Sequence, residues 1–253
     1  MAKHGGQKVL KRLNTPKYLQ IKRKHGKFTI KPRPGPHPKD FCLTLLHIVR
    51  DLLKLADNYK EAKKLIAKGY FKVDGRVIRE KGFPIGLMDV LSIEKMGKYY
   101  RILPHHHYGL ILHEIPEEEA SYKLCRINGK TTVKRGHIQL NLHDGRNILI
   151  RVADPRNPKE DIYKRMDVLK ITVPDQEILK IIRFKEENLA LIVSGKNIGR
   201  MGKIISIKKL FGPNASTVSI EQNGTHIETL YDYTFVIGED NPEISFPEKY
   251  MEN

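Results

Sequence analysis

The sequence predicts an α+β protein that is mostly β: a basic extended arm over residues 1–40, a small helix pair with a hairpin over 41–95, a central small β barrel or sandwich over 96–185, and a C-terminal barrel with an acidic end over 186–253. Three observations predict it. Twelve Lys or Arg and no Asp or Glu fall within residues 1–39. Apolar residues then recur at spacings of three and four from Cys42 to Leu53, which is the helical period. Beyond residue 95 the apolar runs are short and broken by Gly, Pro, Asn and Asp, the pattern of strands joined by turns.

The net charge of +17 and pI near 9.7 favour a polyanionic partner, because a surface so basic repels itself. The charge is uneven, since residues 210–253 carry one Lys or Arg against eight acids. Candidate phosphate contacts in the arm are Lys3, Lys8, Lys11, Arg12, Lys17, Lys22, Arg23, Lys24, Lys27, Lys31, Arg33, His37 and Lys39. Pro32, Pro34, Pro36 and Pro38 fix φ at alternate positions and hold the chain extended. They also forbid the amphipathic helix that a membrane surface would require, so nucleic acid is the preferred partner. With little apolar periodicity, the arm is expected to order on that partner. The bland alternative is a solvated tail or an import signal.

The first helix places Cys42, Leu45, Leu46, Val49, Leu52 and Leu53 on one face and leaves Arg50 off it. Asn58, with Glu61 three residues on, announces a second helix that Gly69 stops. Lys60, Lys64 and Lys68 recur every four residues, with Lys63 beside them, and form a cationic row. Asp74-Gly75 between Tyr70-Phe71-Lys72-Val73 and Arg76-Val77-Ile78 suits a type I′ hairpin turn, and Arg76 and Arg79 add to the cationic surface. Two helices followed by Gly-x-Phe-x-Val-Asp-Gly-Arg-Val and a downstream Asp-Val-Leu-x-Ile resemble the S4-type RNA-binding module. That resemblance implies that the helix pair and hairpin face structured RNA.

Between 96 and 185, strand-like segments alternate with turn formers, and Asn128-Gly129 is a further hairpin candidate. Met166-Asp167-Val168-Leu169-Lys170-Ile171 echoes Met88-Asp89-Val90-Leu91-Ser92-Ile93, which suggests a shared way of entering a strand after a turn. His105-His106-His107 invites a metal reading, but neighbouring histidines cannot all face one ion and no acid or thiol lies at ligand spacing, so no metal site is assigned. Cys42 and Cys125 are far apart and suggest neither a disulfide nor a zinc site.

The strand over 189–193 breaks into Ser194-Gly195-Lys196-Asn197-Ile198-Gly199-Arg200-Met201-Gly202-Lys203, where glycines let the backbone approach phosphates between cationic side chains. This loop resembles a KOW motif, which implies an SH3-like barrel completed by strands over 204–207, 218–220, 225–230 and 234–237, with Asn223-Gly224 as a turn. Gly195, Lys196, Asn197, Gly199, Arg200, Gly202 and Lys203 are its candidate RNA contacts.

Enzyme signatures are missing. Leu124 stands where a P-loop preceding Gly129-Lys130-Thr131 would need Gly, and Gly145-Arg146 is not followed by the Asp of pseudouridine synthases. An S4-type module followed by a KOW loop, together with Lys11-Arg12, Gly35-Pro36-His37, Met88-Asp89-Val90, Tyr122-Lys123-Leu124-Cys125, His143-Asp144 and Gly199-Arg200, resembles the archaeal and eukaryotic family of small-subunit ribosomal protein four. The resemblance implies a non-catalytic constituent of the small ribosomal subunit that binds rRNA and neighbouring ribosomal proteins. It implies no cofactor, small-molecule substrate, membrane or self-association. The expected location is the cytoplasmic ribosome, with transient nuclear or nucleolar passage in a eukaryote. The sequence lacks a secretory apolar run and a stretch long enough to span a bilayer, so a soluble, intracellular protein is expected. The alternatives are an RNA-modifying enzyme that uses the module as its grip, or a KOW-bearing transcription factor.

Overall fold

The computed structural model of the chain describes residues 9–16, 18–24, 26–156, 158–210 and 215–247. Three five-stranded antiparallel sheets dominate it, and of two short ladders one pairs two segments of the arm with each other and the other ties the start of the first helix to the body. Among the described residues no helix is long and apolar enough to cross a membrane. Cys42 and Cys125 are buried free thiols.

The helix pair forms, although its first helix starts later than its apolar spacing suggests. Leu43–Thr44 is extended and pairs with Pro84–Ile85, and the Thr44 hydroxyl then accepts the His47 N–H at 3.4 Å as an N-cap. The helix widens into a π turn over Ile48–Leu52 and ends at Lys54, which has a positive φ of 52°. The second helix, Tyr59–Ala67, is capped as expected: Glu61 Oε2 accepts the backbone N–H groups of Asp57 and Asn58. Its Ala62 and Ile66 join Leu45, Leu46, Ile48 and Val49 in one core. Full burial of each Leu, Ile or Val side chain among these contributes about 1.5–3 kcal/mol.

Asp74 and Gly75 both have positive φ, 48° and 75°, and join Lys72–Val73 to Arg76–Val77 as a type I′ turn requires. The sheet then runs on in the order Arg76–Val77, Lys72–Val73, Val90–Ile93, Lys98–His105, Gly109–Ile115. Strands Lys98–His105 and Gly109–Ile115, which the sequence pattern groups with the central β block, thus hydrogen-bond to the hairpin module instead. Gly97, at φ 60°, makes the connection from Val90–Ile93 short enough for this.

Tyr122–Thr132 is the spine of the central sheet. Tyr122–Arg126 pairs with Val168–Thr172, and after a register shift between Ile127 and Gly129 the same strand pairs with Ile138–Leu142. Asn128-Gly129 is therefore a β-bulge inside a continuous strand and not a hairpin turn. Both of its flanks find partners without a reversal. Asn223-Gly224, by contrast, does turn the chain between Thr217–Gln222 and Thr225–Leu230, with φ of 49° and 76°.

The two Met-Asp-Val-Leu phrases do enter their strands alike. Met88 and Met166 both take positive φ, 65° and 75°, and the carboxylate that follows each accepts the N–H three residues before it, Gly86 to Asp89 and Lys164 to Asp167.

The C-terminal sheet, in the order Thr225–Leu230, Thr217–Gln222, Met201–Lys208, Leu189–Ile192, Thr234–Gly238, encloses a core shared with Met88, Leu103, Leu124, Val168 and Ile182 of the other two units. The acidic end is not a free tail over its described part. Ile244 and Phe246 are buried in this core, and Glu243 accepts from Lys170 and Lys180 at 2.9 and 2.6 Å. Arg101 is wholly buried on Glu119, whose carboxylate also accepts the Ser245 N–H.

Candidate nucleic-acid interface

The arm is more ordered than its composition implies. Leu10 and Leu19 are buried, Leu10–Lys11 pairs with Phe28–Thr29, and Tyr18 donates to the Lys39 carbonyl at 2.8 Å. Tyr18 packs so closely on Gly109 that a Cβ there would lie 2.1 Å from it. A few apolar anchors thus seat a segment whose average composition is that of a disordered tail.

Two arginines expected at phosphates are occupied within the arm. Arg12 donates to the carbonyls of Phe28 and Lys22, and Arg23 donates to those of Leu13, Thr15 and Pro16. Arg33 lies 3.4 Å from Glu80. His37 is not on the surface at all: it is buried, with Nε2 at 2.9 Å from Asp89 Oδ2, which corrects its placement among the RNA-facing residues. Its ring occupies the space beside Gly86, where a Cβ would meet it at 2.3 Å. Lys11, Lys22, Lys24, Lys27 and Lys39 are exposed, and Lys31 is half-buried. Lys3, Lys8 and Lys17 lie outside the described residues.

Lys60, Lys63, Lys64 and Lys68 all project from the helix into solvent, and Arg76 and Arg79 are exposed on and after the hairpin. The surfaces meet at Gly69, where a Cβ would come 3.4 Å from Arg79 Nε. Next to it the Tyr70 ring holds Lys95 Nζ at 3.8 Å and Lys68 Nζ at 5.9 Å from its centroid. The hydrogen bond with Lys95, and then the charge of Lys68, keep the Tyr70 hydroxyl below its ordinary pKa. Sequence reasoning missed Lys95, because only the fold returns it to the second helix. Arg50 is half-buried and pairs with Asp51 through two hydrogen bonds of 2.8 and 2.7 Å, so its charge is largely matched locally.

The glycine loop of the C-terminal unit bears an exposed Lys196 and a half-buried Asn197 and Arg200. Gly195, at φ 88°, faces the Tyr233 ring, and Gly199, at φ 81°, donates its N–H to Ile192 O. Gly202 is buried in the strand, where a Cβ would fall 2.0 Å from Glu221 O, so it serves the ladder and is not open to a phosphate. Lys203 is exposed, 3.4 Å from Asp240.

One buried ionic cluster joins the arm, the hairpin module and the central sheet. Lys123 Nζ, wholly inaccessible, donates to Asp74 at 2.9 Å, Asp89 at 2.5 Å and Asp144 at 2.9 Å. Arg146 adds contacts to Asp74 and Asp144, and His37 brings the arm to Asp89. Burial alone would discharge the Lys123 ammonium, but the surrounding carboxylates reverse that and hold its pKa well above the ordinary value. Likewise burial would raise Asp144, yet Lys123, His143 and Arg146 bring it down to about 2. The His143 ring is pushed down to about 3 by burial and by the Lys123 charge. Its contacts match a neutral ring, since Nδ1 accepts from the Arg126 N–H and Nε2 donates to Leu87 O.

Cys125, His143 and Asp144 come within ligand distance of one another. They do not fit a metal. Lys123 and Arg146 already occupy the Asp144 carboxylate, burial pushes the Cys125 thiol up, and a fixed ammonium repels a cation there.

Residues 96–178 match the profile of the Ribosomal family S4e, and residues 4–40 match that of the RS4NT domain. The Small ribosomal subunit protein eS4 of Aeropyrum pernix is 51% identical over 98% of this chain and 98% of its own. That of Methanocaldococcus jannaschii is 46% identical over 96% and 99%. The crystal structure of the 30S ribosomal protein S4e from Thermoplasma acidophilum shares the fold at 36% identity and a TM-score of 0.67, covering 79% of this chain and 97% of that one. With nearly its whole length matched at about half identity, and with the same fold, the chain belongs to the S4e family of ribosomal proteins.

Proposed function

We propose that the protein is a structural, non-catalytic constituent of the small ribosomal subunit that binds rRNA and supports assembly and translation. The observation that carries this reading is geometric. The arm and the module that carries the lysine row with Arg76 and Arg79 are joined to the central sheet through Lys123 and its carboxylates, and the unit that carries the Gly195 to Lys203 loop shares an apolar core with both sheets, so the cationic surfaces stand on one scaffold. A rigid arrangement of separated cations reads the spacing of phosphates on folded RNA more than base edges, so affinity depends strongly on salt. Neighbouring ribosomal proteins in the cytoplasmic ribosome are its further partners, and self-association plays no part. Sedimentation of a cell lysate through a density gradient tests the reading. Stable co-migration with small subunits through moderate salt is expected, and a free light fraction at physiological salt would overturn it.

A further inference from the structure

The triple-histidine turn has no part in the surfaces described so far. It is the tip of the hairpin formed by Lys98–His105 and Gly109–Ile115, and it displays four rings in succession, His105, His106, His107 and Tyr108. The His105 and Tyr108 rings lie 5.0 Å apart with planes 30° from parallel, and the His106 and His107 rings lie 4.6 Å apart. Tyr108 is 52% exposed, unusual for so large a ring, and His106 and His107 are exposed with it. Within the tip, His107 N donates to His105 Nδ1 at 3.1 Å.

Its position matters more than its composition. The tip backbone packs on the glycine loop of the C-terminal unit, where a Cβ on Gly199 would lie 2.9 Å from His106 N and 3.1 Å from His105 Cα. The backbone of the ring-bearing tip therefore abuts the loop that carries Lys196 and Arg200. No Asp or Glu occurs over residues 95–113 or 194–203, so the two segments present cations and rings without an opposing charge of their own. Cations that track a phosphate chain next to exposed rings are the elements of single-strand recognition, in which each base stacks on a ring face.

We propose that the His105 to Tyr108 tip and the Gly195 to Lys203 loop form one composite site for an unpaired RNA segment, with a base stacked on Tyr108 and its phosphates on Lys196 and Arg200. The inference rests on the RNA-binding reading above and adds a preference that reading does not contain, for looped-out over paired nucleotides.

The chain has no tryptophan, so Tyr108→Trp in the full-length protein gives a single reporter at the site. It is titrated with an RNA hairpin carrying an adenine-rich loop and with a fully paired RNA duplex of the same stem. Quenching of the tryptophan by the loop RNA and not by the duplex is expected. Tyr108→Ala should weaken loop-RNA binding by about 5- to 100-fold and leave duplex binding unchanged, while Tyr108→Phe retains the affinity. Equal quenching by both RNAs, or binding without quenching, would overturn the composite site and leave the RNA-binding reading standing. Failure of the wild-type protein to bind either RNA would remove that reading and the site with it.

Discussion

Lys123, on the central sheet, and Asp89, 34 positions earlier at the entry to the strand Val90–Ile93, meet in ionic contact at a point sealed from solvent. Asp74 and Asp144 close on the same ammonium, so the module hairpin, the strand entry at Asp89 and the central sheet share one fastening. Buried ion pairs seldom add net stability over an apolar packing, but removing one partner leaves the others uncompensated.

Lys123→Met should therefore cost about 3–5 kcal/mol, read as a lowered urea midpoint at neutral pH. The exposed pair Arg165 with Asp232, at 61% and 66% side-chain exposure, supplies the contrast. Arg165→Ala should change stability by less than about 0.5 kcal/mol.

Stability should fall with acidification before the carboxylates titrate. His143 is neutral in the folded protein down to about pH 3, whereas in the unfolded chain it gains its proton near pH 6.5. Across that window the unfolded state binds the extra proton, so stability declines as pH drops, by up to about 1.4 kcal/mol per pH unit from this ring. Asp144, held down at about 2, and Asp89, also depressed, contribute stability above about pH 4 that is lost below it. Urea midpoints measured from pH 7 to pH 4 should slope downward in the wild type and be flatter in His143→Gln.

Replacing Lys60, Lys64 and Lys68 together by Ala should flatten the dependence of log K on log salt by about 0.7–0.9 for each phosphate that is no longer neutralised. Arg23→Ala should not, because its guanidinium is bound to the carbonyls of Leu13, Thr15 and Pro16. That variant should instead speed proteolytic nicking of the arm. A slope that responds to Arg23 and ignores the lysine row would exchange their roles.

Gly202→Ala should destabilise by more than about 2 kcal/mol, since its Cβ would enter the Glu221 carbonyl. At Gly224 the space is open and only the positive φ of 76° opposes a side chain, so Gly224→Ala should cost about 1 kcal/mol. Thermal unfolding of the two variants compares them directly.

Local chemistry was enough to read the helix capped by Glu61, the Asp74-Gly75 and Asn223-Gly224 turns, the shared Met-Asp strand entry and the cationic row, because each depends on residues within a few positions of one another. The sequence also carried the family resemblance, through phrases such as Gly35-Pro36-His37, Met88-Asp89-Val90, Tyr122-Lys123-Leu124-Cys125 and His143-Asp144. Only the tertiary structure shows why those phrases belong together: His37, Asp89, Lys123 and Asp144 converge on one buried cluster. Period-two alternation could not reveal it, since Lys123 and Leu124 point to opposite faces of their strand and both faces are buried. The bulge at Asn128-Gly129, the buried His37 and the ring tip seated on Gly199 were likewise decided by partners distant in the chain, whose contact is a property of packing and not of any local run of residues.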